Sequence, residues 1–286
     1  PKGTARAKKE RTMNPNRMLM LAAAVVLAAA GTAAPELIRM DASMAQPYML
    51  VGQAQKAYLR VSISGSELAP DSKRTPVNLA IVLDKSGSMD GQKIVDAKAA
   101  AIKAVGMLMP NDIVSVVAYD DGLYAGGSTA LFAGVSKGAA ELRKFYDRNH
   151  VNRIILLSDG LANVGPSAPG DLAELGTSLG REGIAVTTIG LGLDYNEDLM
   201  TQLAQKSDGN HMFAKEPGDL DRIFAQELGS VTSVVAQNIE IVIDCANGVR
   251  PIRILGRDAD IIGTRVITSM NQVYADNDRY VLLEVE

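Results

Sequence analysis

One aspartate and two serines stand at alternate positions just beyond a short apolar run. The run covers residues 77–83, and Asp84, Ser86 and Ser88 follow it. Gly87, between the two serines, is expected to let the turn bend tightly. A carboxylate and two hydroxyls at the end of a buried strand would form a small cage of hard oxygen ligands. Such a cage suits Mg²⁺ or Mn²⁺ better than a soft metal, so the sequence predicts a divalent-cation site here.

The elements around this cage follow an α/β pattern. Residues 77–83 are apolar except for Asn78, as expected for a strand covered on both faces. Apolar residues then recur every three or four positions from Gln92 to Leu108, which predicts a helix. The alternation continues with predicted strands over 113–119, 154–157, 184–192 and 211–214, and predicted helices over 131–146, 172–180, 197–207 and 219–228. This pattern predicts a parallel sheet with helices on both faces, which binds ligands beyond the carboxyl ends of its strands.

A second pattern, with a period of two, flanks the first. It predicts half-buried strands over 57–64, 238–244, 249–255, 264–269 and 279–285. We therefore expect an α/β fold with a doubly wound, mostly parallel sheet inserted in a flanking β-sandwich-like domain. The expected layout is residues 35–76 as the N-terminal part of the β domain and a linker, 77–230 as the α/β domain, and 231–286 as the C-terminal β part. The pattern breaks off inside a strand at Glu286, so a truncated C-terminal part is one expectation.

The D-x-S-x-S pattern of Asp84, Ser86 and Ser88 resembles the metal-ion-dependent adhesion site of von Willebrand factor type A domains. Two further stretches follow in the order that this family has. The segment Gly126-Gly127-Ser128-Thr129-Ala130-Leu131 resembles the loop that supplies a threonine, and residues 153–160 resemble the strand that supplies a second aspartate. An ordinary βα turn with polar caps is the alternative for D-x-S-x-S taken alone.

The resemblance implies a Rossmann-like fold and five metal ligands, Asp84, Ser86, Ser88, Thr129 and Asp159. The serine hydroxyls would bind the ion directly, the threonine directly or through water, and the two aspartates directly or through bound waters. Lys85 is expected to be an exposed flank of the motif, and Asp90, Asp120 and Asp121 to be solvated loop acids.

The same resemblance implies a function without catalysis. Three neutral hydroxyls leave a bound ion short of negative charge, so an acidic side chain of a partner protein would supply the last ligand. We expect a metal-dependent adhesion or assembly module that uses Mg²⁺, or Mn²⁺, with Ca²⁺ as a third candidate. Two alternatives stay open: a structural subunit with a vestigial site, and a metal-dependent hydrolase. The chain offers little for a hydrolase, since it has two histidines and neither a Ser-His-Asp order nor an HExxH motif.

The interval between Ser88 and Thr129 is short, at 41 residues. The family usually has one more strand and one more helix there. We expect an antiparallel edge strand and its return helix to be missing, which would leave an apolar patch without cover. A damaged or engineered sequence is the alternative.

The first 34 residues have the layout of a secretory signal peptide. Residues 1–17 contain six Lys or Arg and one Glu. Thirteen apolar residues, 18–30, come next, and the small residues 32–34 follow. The apolar run is shorter than the ~20 residues of a spanning helix, so a retained anchor is the lesser alternative. We expect an exported protein, periplasmic, cell-surface or secreted, that meets a membrane only through this leader or through other subunits.

Charge and cysteine content limit which partners and which disulfides the chain can have. The chain has 29 Lys and Arg against 33 Asp and Glu, and the residues beyond 34 carry a net charge of −9. This excess of acid argues against nucleic acid as a partner. Cys245 is the single cysteine, so a disulfide within the chain is excluded. A buried thiol is expected, with an intermolecular bridge as the minority alternative.

Overall fold

The computed structural model describes residues 24–29, 38–46, 48, 53–67, 74–120, 130–159 and 169–286. In this part of the chain the strands are β1 (Ala24–Ala29), β2 (Ile38–Met44), β3 (Ala57–Gly65), β4 (Val77–Asp84), β5 (Ile113–Tyr119), β6 (Val151–Ser158), β7 (Ile184–Leu191), β8 (His211–Ala214), β9 (Val234–Asp244), β10 (Pro251–Leu255), β11 (Asp260–Ile262), β12 (Arg265–Tyr274) and β13 (Asp278–Val285). The helices are α1 (Gln92–Gly106), α2 (Ala130–Arg143), α3 (Pro169–Arg181), α4 (Glu197–Lys206) and α5 (Leu220–Thr232).

The central element is a parallel sheet in the order β5-β4-β6-β7-β8. Every residue of β4, β6 and β7 is buried, because helices cover both faces of these strands. One face packs with α1 and α5, and the other packs with α2, α3 and α4. The predicted α/β class is confirmed.

Two antiparallel sheets form the second part of the molecule, in the orders β1-β9-β12-β11 and β10-β13-β3-β2. Their apolar side chains share one core, to which Ile63 on β3, Ile241 on β9 and Leu283 on β13 contribute. β3 precedes the parallel sheet in the chain and β9 follows it, so the α/β unit is inserted between strands of the sandwich.

Arg153 on β6 ties the parallel sheet to the sandwich. Its side chain is fully buried, and it donates hydrogen bonds to Thr187 Oγ1 (3.0 Å), to Gln272 Oε1 (2.5 Å) and to the hydroxyl of Tyr274. The last two residues belong to β12. Glu227 of α5 is also fully buried, with Oε1 3.6 Å from Arg153 Nη1. The joint between the two units is therefore a buried ionic network as well as an apolar contact.

Three strands in the described residues, β1, β2 and β11, were not predicted as strands, and three others, β6, β9 and β12, are several residues longer than predicted. The residues of β2 alternate apolar and polar side chains, and Ile38, Met40 and Met44 pack against the sandwich core, so the prediction missed a strand that the sequence encodes. β11 is three residues long and exposed, and it has no such alternation. β9 begins at Val234, four residues before the predicted start. Asn238 has a positive φ of 53°, which breaks the period of two inside the strand and hides its first residues.

Part of the apolar run predicted as a leader forms β1. This strand pairs antiparallel with β9, with Ala24 opposite Asp244 and Ala29 opposite Ile239. Residues 1–23 and 30–34, which include the predicted cleavage site, lie outside the described residues. Within the described ranges, no helix is both long enough and apolar enough to cross a bilayer.

β5 is an edge strand in the described part of the parallel sheet, since it pairs with β4 on one side only. Val114 and Val116 on this strand are 36% and 58% exposed. These two valines lie on the edge where the sequence predicts a missing strand and helix, although residues 121–129 are outside the described part.

Candidate metal site

Asp84 ends β4 between the ends of two neighbouring strands. The parallel register places it beside Tyr119 at the end of β5, and Ser158 ends β6 on the other side. Asp84 Oδ2 accepts hydrogen bonds from the Tyr119 hydroxyl (3.0 Å) and from Ser158 Oγ (2.7 Å), while Oδ1 accepts one from the Ser86 amide (2.9 Å). The carboxylate is 3% exposed, so these donors fix its orientation at the carboxyl edge of the sheet.

The loop after Asp84 is shaped by a 3-10 turn over Gly87–Met89, which Met89 anchors with a fully buried side chain. The expected role of Gly87 is wrong. Its φ is not positive, and a Cβ placed there meets nothing within 4 Å, so the bend does not require glycine. The left-handed residue is Gly91, with φ 81°, which directly precedes α1.

The two serines and the second aspartate form one chain of contacts. Ser86 Oγ and Ser88 Oγ are 3.1 Å apart, and Ser88 Oγ donates a 2.7 Å hydrogen bond to Asp159 Oδ1. Ser86 and Asp159 are each 3% exposed, whereas Ser88 is exposed. Four of the five residues that the resemblance implies therefore meet at this edge. Thr129 lies outside the described residues; α2 begins at the next position.

Sequence reasoning missed three residues that hold this site. Tyr119 and Ser158 hold Asp84, and their positions at the ends of the strands on either side could have identified them. Lys93, one residue into α1, donates from Nζ to Asp159 Oδ2 and to the Ser88 carbonyl oxygen (3.2 Å). Lys93 comes five residues after Ser88, but the reach of its side chain back to Asp159 depends on tertiary structure.

Tyr119 owes its position to a glycine on the facing helix. A Cβ on Gly134 of α2 would lie 2.6 Å from Cδ1 of the Tyr119 ring. Only glycine allows the helix and the ring to approach this closely. The packing of α2 therefore contributes to the orientation of Asp84.

Neighbouring charges take other partners. Lys85 is exposed, as expected, and its Nζ donates a 2.8 Å hydrogen bond to Asp120 Oδ2. Asp120 is thus ion-paired rather than only solvated. Asp90 is exposed, and its amide donates to the Gly87 carbonyl oxygen. Asp121 lies outside the described residues.

The donor set fits a hard divalent cation. Its side-chain ligands are oxygens, two from carboxylates and the others from hydroxyls. No group of three or more His, Cys, Asp or Glu in the described chain could hold a metal ion, so an ion here would depend on the serines and on water. Mg²⁺ and Mn²⁺ accept such neutral oxygen ligands and keep several waters, whereas soft metals favour thiolate or imidazole. The ammonium of Lys93 forms an ion pair with Asp159 at this edge.

Comparison with known proteins shows which family the α/β unit is similar to. Residues 120–226 match the family model for the von Willebrand factor type A domain. The fold resembles a von Willebrand factor type A protein from Catenulispora acidiphila, with a TM-score of 0.63 and 17% identity over 86% of this chain and 65% of that one. It also resembles the ArnB paralog VWA2 from Sulfolobus acidocaldarius, with a TM-score of 0.56 and 20% identity over 87% and 66% of the two chains. Residues 120–226 are therefore similar to a von Willebrand factor type A domain, and the two solved structures have the same fold.

Curated relatives are similar over part of their length. An uncharacterized protein of Synechocystis sp. is 30% identical over 183 residues, which are 56% of this chain and 43% of that protein. The uncharacterized protein YfbK of Escherichia coli is 25% identical over 217 residues, which are 66% and 37% of the two chains. This chain spans less than half the length of these relatives. The family match starts at Asp120, so the loop of Asp84, Ser86 and Ser88 is identified by its geometry and not by the match.

Proposed function

We propose that this chain is an exported, metal-dependent protein-binding module. Asp84, Ser86, Ser88, Thr129 and Asp159 would hold Mg²⁺ or Mn²⁺, with Ca²⁺ as a weaker candidate. The observation that carries this proposal is the 2.7 Å hydrogen bond from Ser88 Oγ to Asp159 Oδ1. It joins the loop after β4 to the end of β6, so residues 71 positions apart in sequence present their oxygens together.

The protein groups at this edge suit capture of an acidic side chain. Asp84 is turned inward by three donors, while Ser88 is exposed at the surface of the site. The bound ion would supply an open coordination position that a partner carboxylate can fill. Ser86 and Ser88 would orient the ion, and neither adds negative charge that would repel the partner's acid. We therefore propose a carboxylate-bearing protein as the partner and binding, not turnover, as the activity.

Calorimetry with the EDTA-treated chain tests the metal site. We expect Mg²⁺ and Mn²⁺ to bind the wild type and the Ser88→Ala variant to bind at least about tenfold more weakly, since it loses a direct ligand. Ser178→Ala is the matched control, because Ser178 is an exposed serine near the C-terminal end of α3. Equal affinities for wild type and Ser88→Ala would contradict the proposed ligands.

A peptide array tests the partner class. Peptides with Asp or Glu are compared with the same peptides carrying Asn or Gln. We expect capture of the acidic peptides in Mg²⁺, with loss on EDTA treatment and in Ser88→Ala. Hydrolysis of a generic phosphate ester that Ser88→Ala abolishes would instead favour an enzyme.

A structural or assembly subunit with a vestigial site is the second candidate. The observation in its favour is the ion pair between Lys93 and Asp159, since it neutralises a site carboxylate without a metal. Partner capture that EDTA leaves unchanged would support this candidate.

Export is a separate part of the proposal and rests on the layout of residues 1–34. We expect cleavage after Ala34 and a mature chain that begins at Pro35. N-terminal sequencing of the protein from fractionated cells tests this expectation. An intact leader on protein recovered from the cytosol would contradict it, and β1 would then remain paired with β9.

A further inference from the structure

Lys93 occupies the place beside Asp159 that a cation would take. Its Nζ donates to Asp159 Oδ2 and, over 3.2 Å, to the Ser88 carbonyl oxygen. The side chain of Asp159 is fully buried, while the side chain of Lys93 is 36% exposed. The ammonium thus reaches a buried carboxylate from the solvent side of the site.

Asp159 has both oxygens engaged within the chain. Oδ1 accepts from Ser88 Oγ and Oδ2 accepts from Lys93 Nζ. A buried carboxylate is costly when it lacks a partner, so the lysine stabilises the metal-free form of this edge. An ion that coordinates Asp159 through Oδ2 must first displace the ammonium.

We propose that Lys93 is an internal competitor of the metal ion and sets the metal affinity of the site. This inference rests on the proposed function. The metal-free chain holds Asp159 with Lys93, and metal binding releases the ammonium to solvent on its flexible four-carbon stem. The apparent association constant for the metal is the intrinsic constant multiplied by the fraction of molecules in which Lys93 does not occupy Asp159.

Lys85 provides an internal comparison. It flanks the same loop and is also a lysine, but its Nζ lies 2.8 Å from Asp120 Oδ2 and not on a proposed ligand. Removal of Lys85 changes the net charge near the site by the same amount as removal of Lys93. A difference between the two variants therefore reports on the contact with Asp159 and not on long-range charge.

Calorimetry with Mg²⁺ and Mn²⁺ on the EDTA-treated full chain tests the proposal. We expect Lys93→Met to bind the metal about tenfold more tightly than wild type, the factor that corresponds to loss of a competing interaction of about 1.4 kcal/mol. Lys85→Met and Lys93→Arg should bind like wild type, because both keep a cation on Asp159. Thermal melting supplies a second readout: metal-free Lys93→Met should melt below wild type, and added Mg²⁺ should raise its Tm by more.

The outcomes separate this proposal from the proposed function. Equal metal affinities of Lys93→Met and wild type would contradict the role of Lys93 as a competitor and would leave the proposed metal site unaffected. Equal gains in Lys93→Met and Lys85→Met overturn it as well, since charge alone would then explain the effect. Binding by Lys93→Met but not by wild type supports it in its strongest form. If no variant binds either metal, both proposals fail. Lys93→Gln, which keeps a hydrogen-bond donor without the charge, replaces Lys93→Met if the latter does not fold.

Discussion

Ser158 donates a 2.7 Å hydrogen bond from its hydroxyl to Asp84 Oδ2, so the ends of β6 and β4 are joined through a buried carboxylate. Tyr119 donates to the same oxygen from β5. One aspartate therefore connects the last residues of three adjacent strands. The orientation of the proposed metal ligand and the stability of the sheet edge depend on the same contacts.

Loss of either donor should destabilise the protein. We expect Ser158→Ala and Tyr119→Phe each to lower the free energy of unfolding by about 1.5–3 kcal/mol, as for hydrogen bonds to charged groups. Urea denaturation at neutral pH measures the change. Tyr280→Phe is the control, because Tyr280 is 57% exposed. A Tyr119→Phe variant as stable as Tyr280→Phe would show that the bond to Asp84 contributes little.

The contact between Gly134 and Tyr119 predicts opposite effects for two glycine variants. Gly134→Ala places a methyl group against the Tyr119 ring and should destabilise the chain by about 1–3 kcal/mol, as in other overpacked cores. Gly229→Ala on α5 meets nothing within 4 Å and should stabilise it by about 0.5–1 kcal/mol. Denaturation midpoints compare the two. Stabilisation by both alanines would mean that the ring moves aside at no cost.

Removal of one charge from the buried pair of Arg153 and Glu227 should cost more stability than removal of both. Arg153→Met leaves Glu227 buried without its cation, and we expect a loss of about 3–5 kcal/mol. In Arg153→Met/Glu227→Gln, which removes both charges, we expect partial recovery and a coupling on the order of 0.5–3 kcal/mol. A double-mutant cycle in urea measures this coupling.

An exposed ion pair provides the comparison for that cycle. Arg143 and Glu182 form a two-point contact with both bonds at 2.8 Å, but their side chains are 47% and 37% exposed. Arg143→Met should cost less than about 1 kcal/mol. Equal losses for Arg153→Met and Arg143→Met would exclude a special role for the buried network.

The lowered pKa of Asp112 predicts that the protein loses stability in acid. Burial raises the pKa of this carboxyl, but the Arg74 guanidinium and the amides of Met109 and Val77 outweigh that effect and hold the pKa below its ordinary value of 3.8. The stabilisation is therefore complete above about pH 4 and is lost as the pH falls through the lowered folded-state pKa. Asp112→Asn should lose about 1.5–3 kcal/mol at pH 7 and show a flatter decline below pH 4.

Urea denaturation between pH 2.5 and 7, an interval chosen to span the ordinary carboxyl range, measures this decline. Asp260→Asn, at an exposed aspartate, is the control and should follow the wild type. A decline as steep in Asp112→Asn as in wild type would assign the acid sensitivity to other carboxyls.

The sequence predicted the elements of the site better than the contacts between its side chains. The strand-end positions of Asp84 and Asp159 follow from apolar runs and from the rule that parallel strands place their carboxyl ends together. The hydrogen bond from Tyr119 depends on strand register, and the ion pair of Lys93 depends on the path of α1. Neither is encoded in a local period.

The differences in the sandwich have separate causes. β2 carries the alternation of a half-buried strand, with Ile38, Met40 and Met44 against the sandwich core, so its own sequence encodes it. In β9 the positive φ of Asn238 divides the pattern, and the pairing of its first residues with β12 fixes where the strand begins. The short, exposed β11 is defined by its pairing with β12 and leaves no period in the sequence.

The pairing of β3 with β13 sets an order of events during synthesis. Ala57 pairs with Val285 and Ser64 with Asp278, so each pair is separated by more than 200 residues. At ordinary rates of translation a ribosome takes roughly 10 to 45 seconds to cover that distance. In this interval the whole parallel sheet leaves the ribosome and can fold around its own two cores, while β3 still lacks its main partner. The sandwich is thus the last part of the protein to close, and a nascent chain stalled before β13 would expose the apolar face of β3.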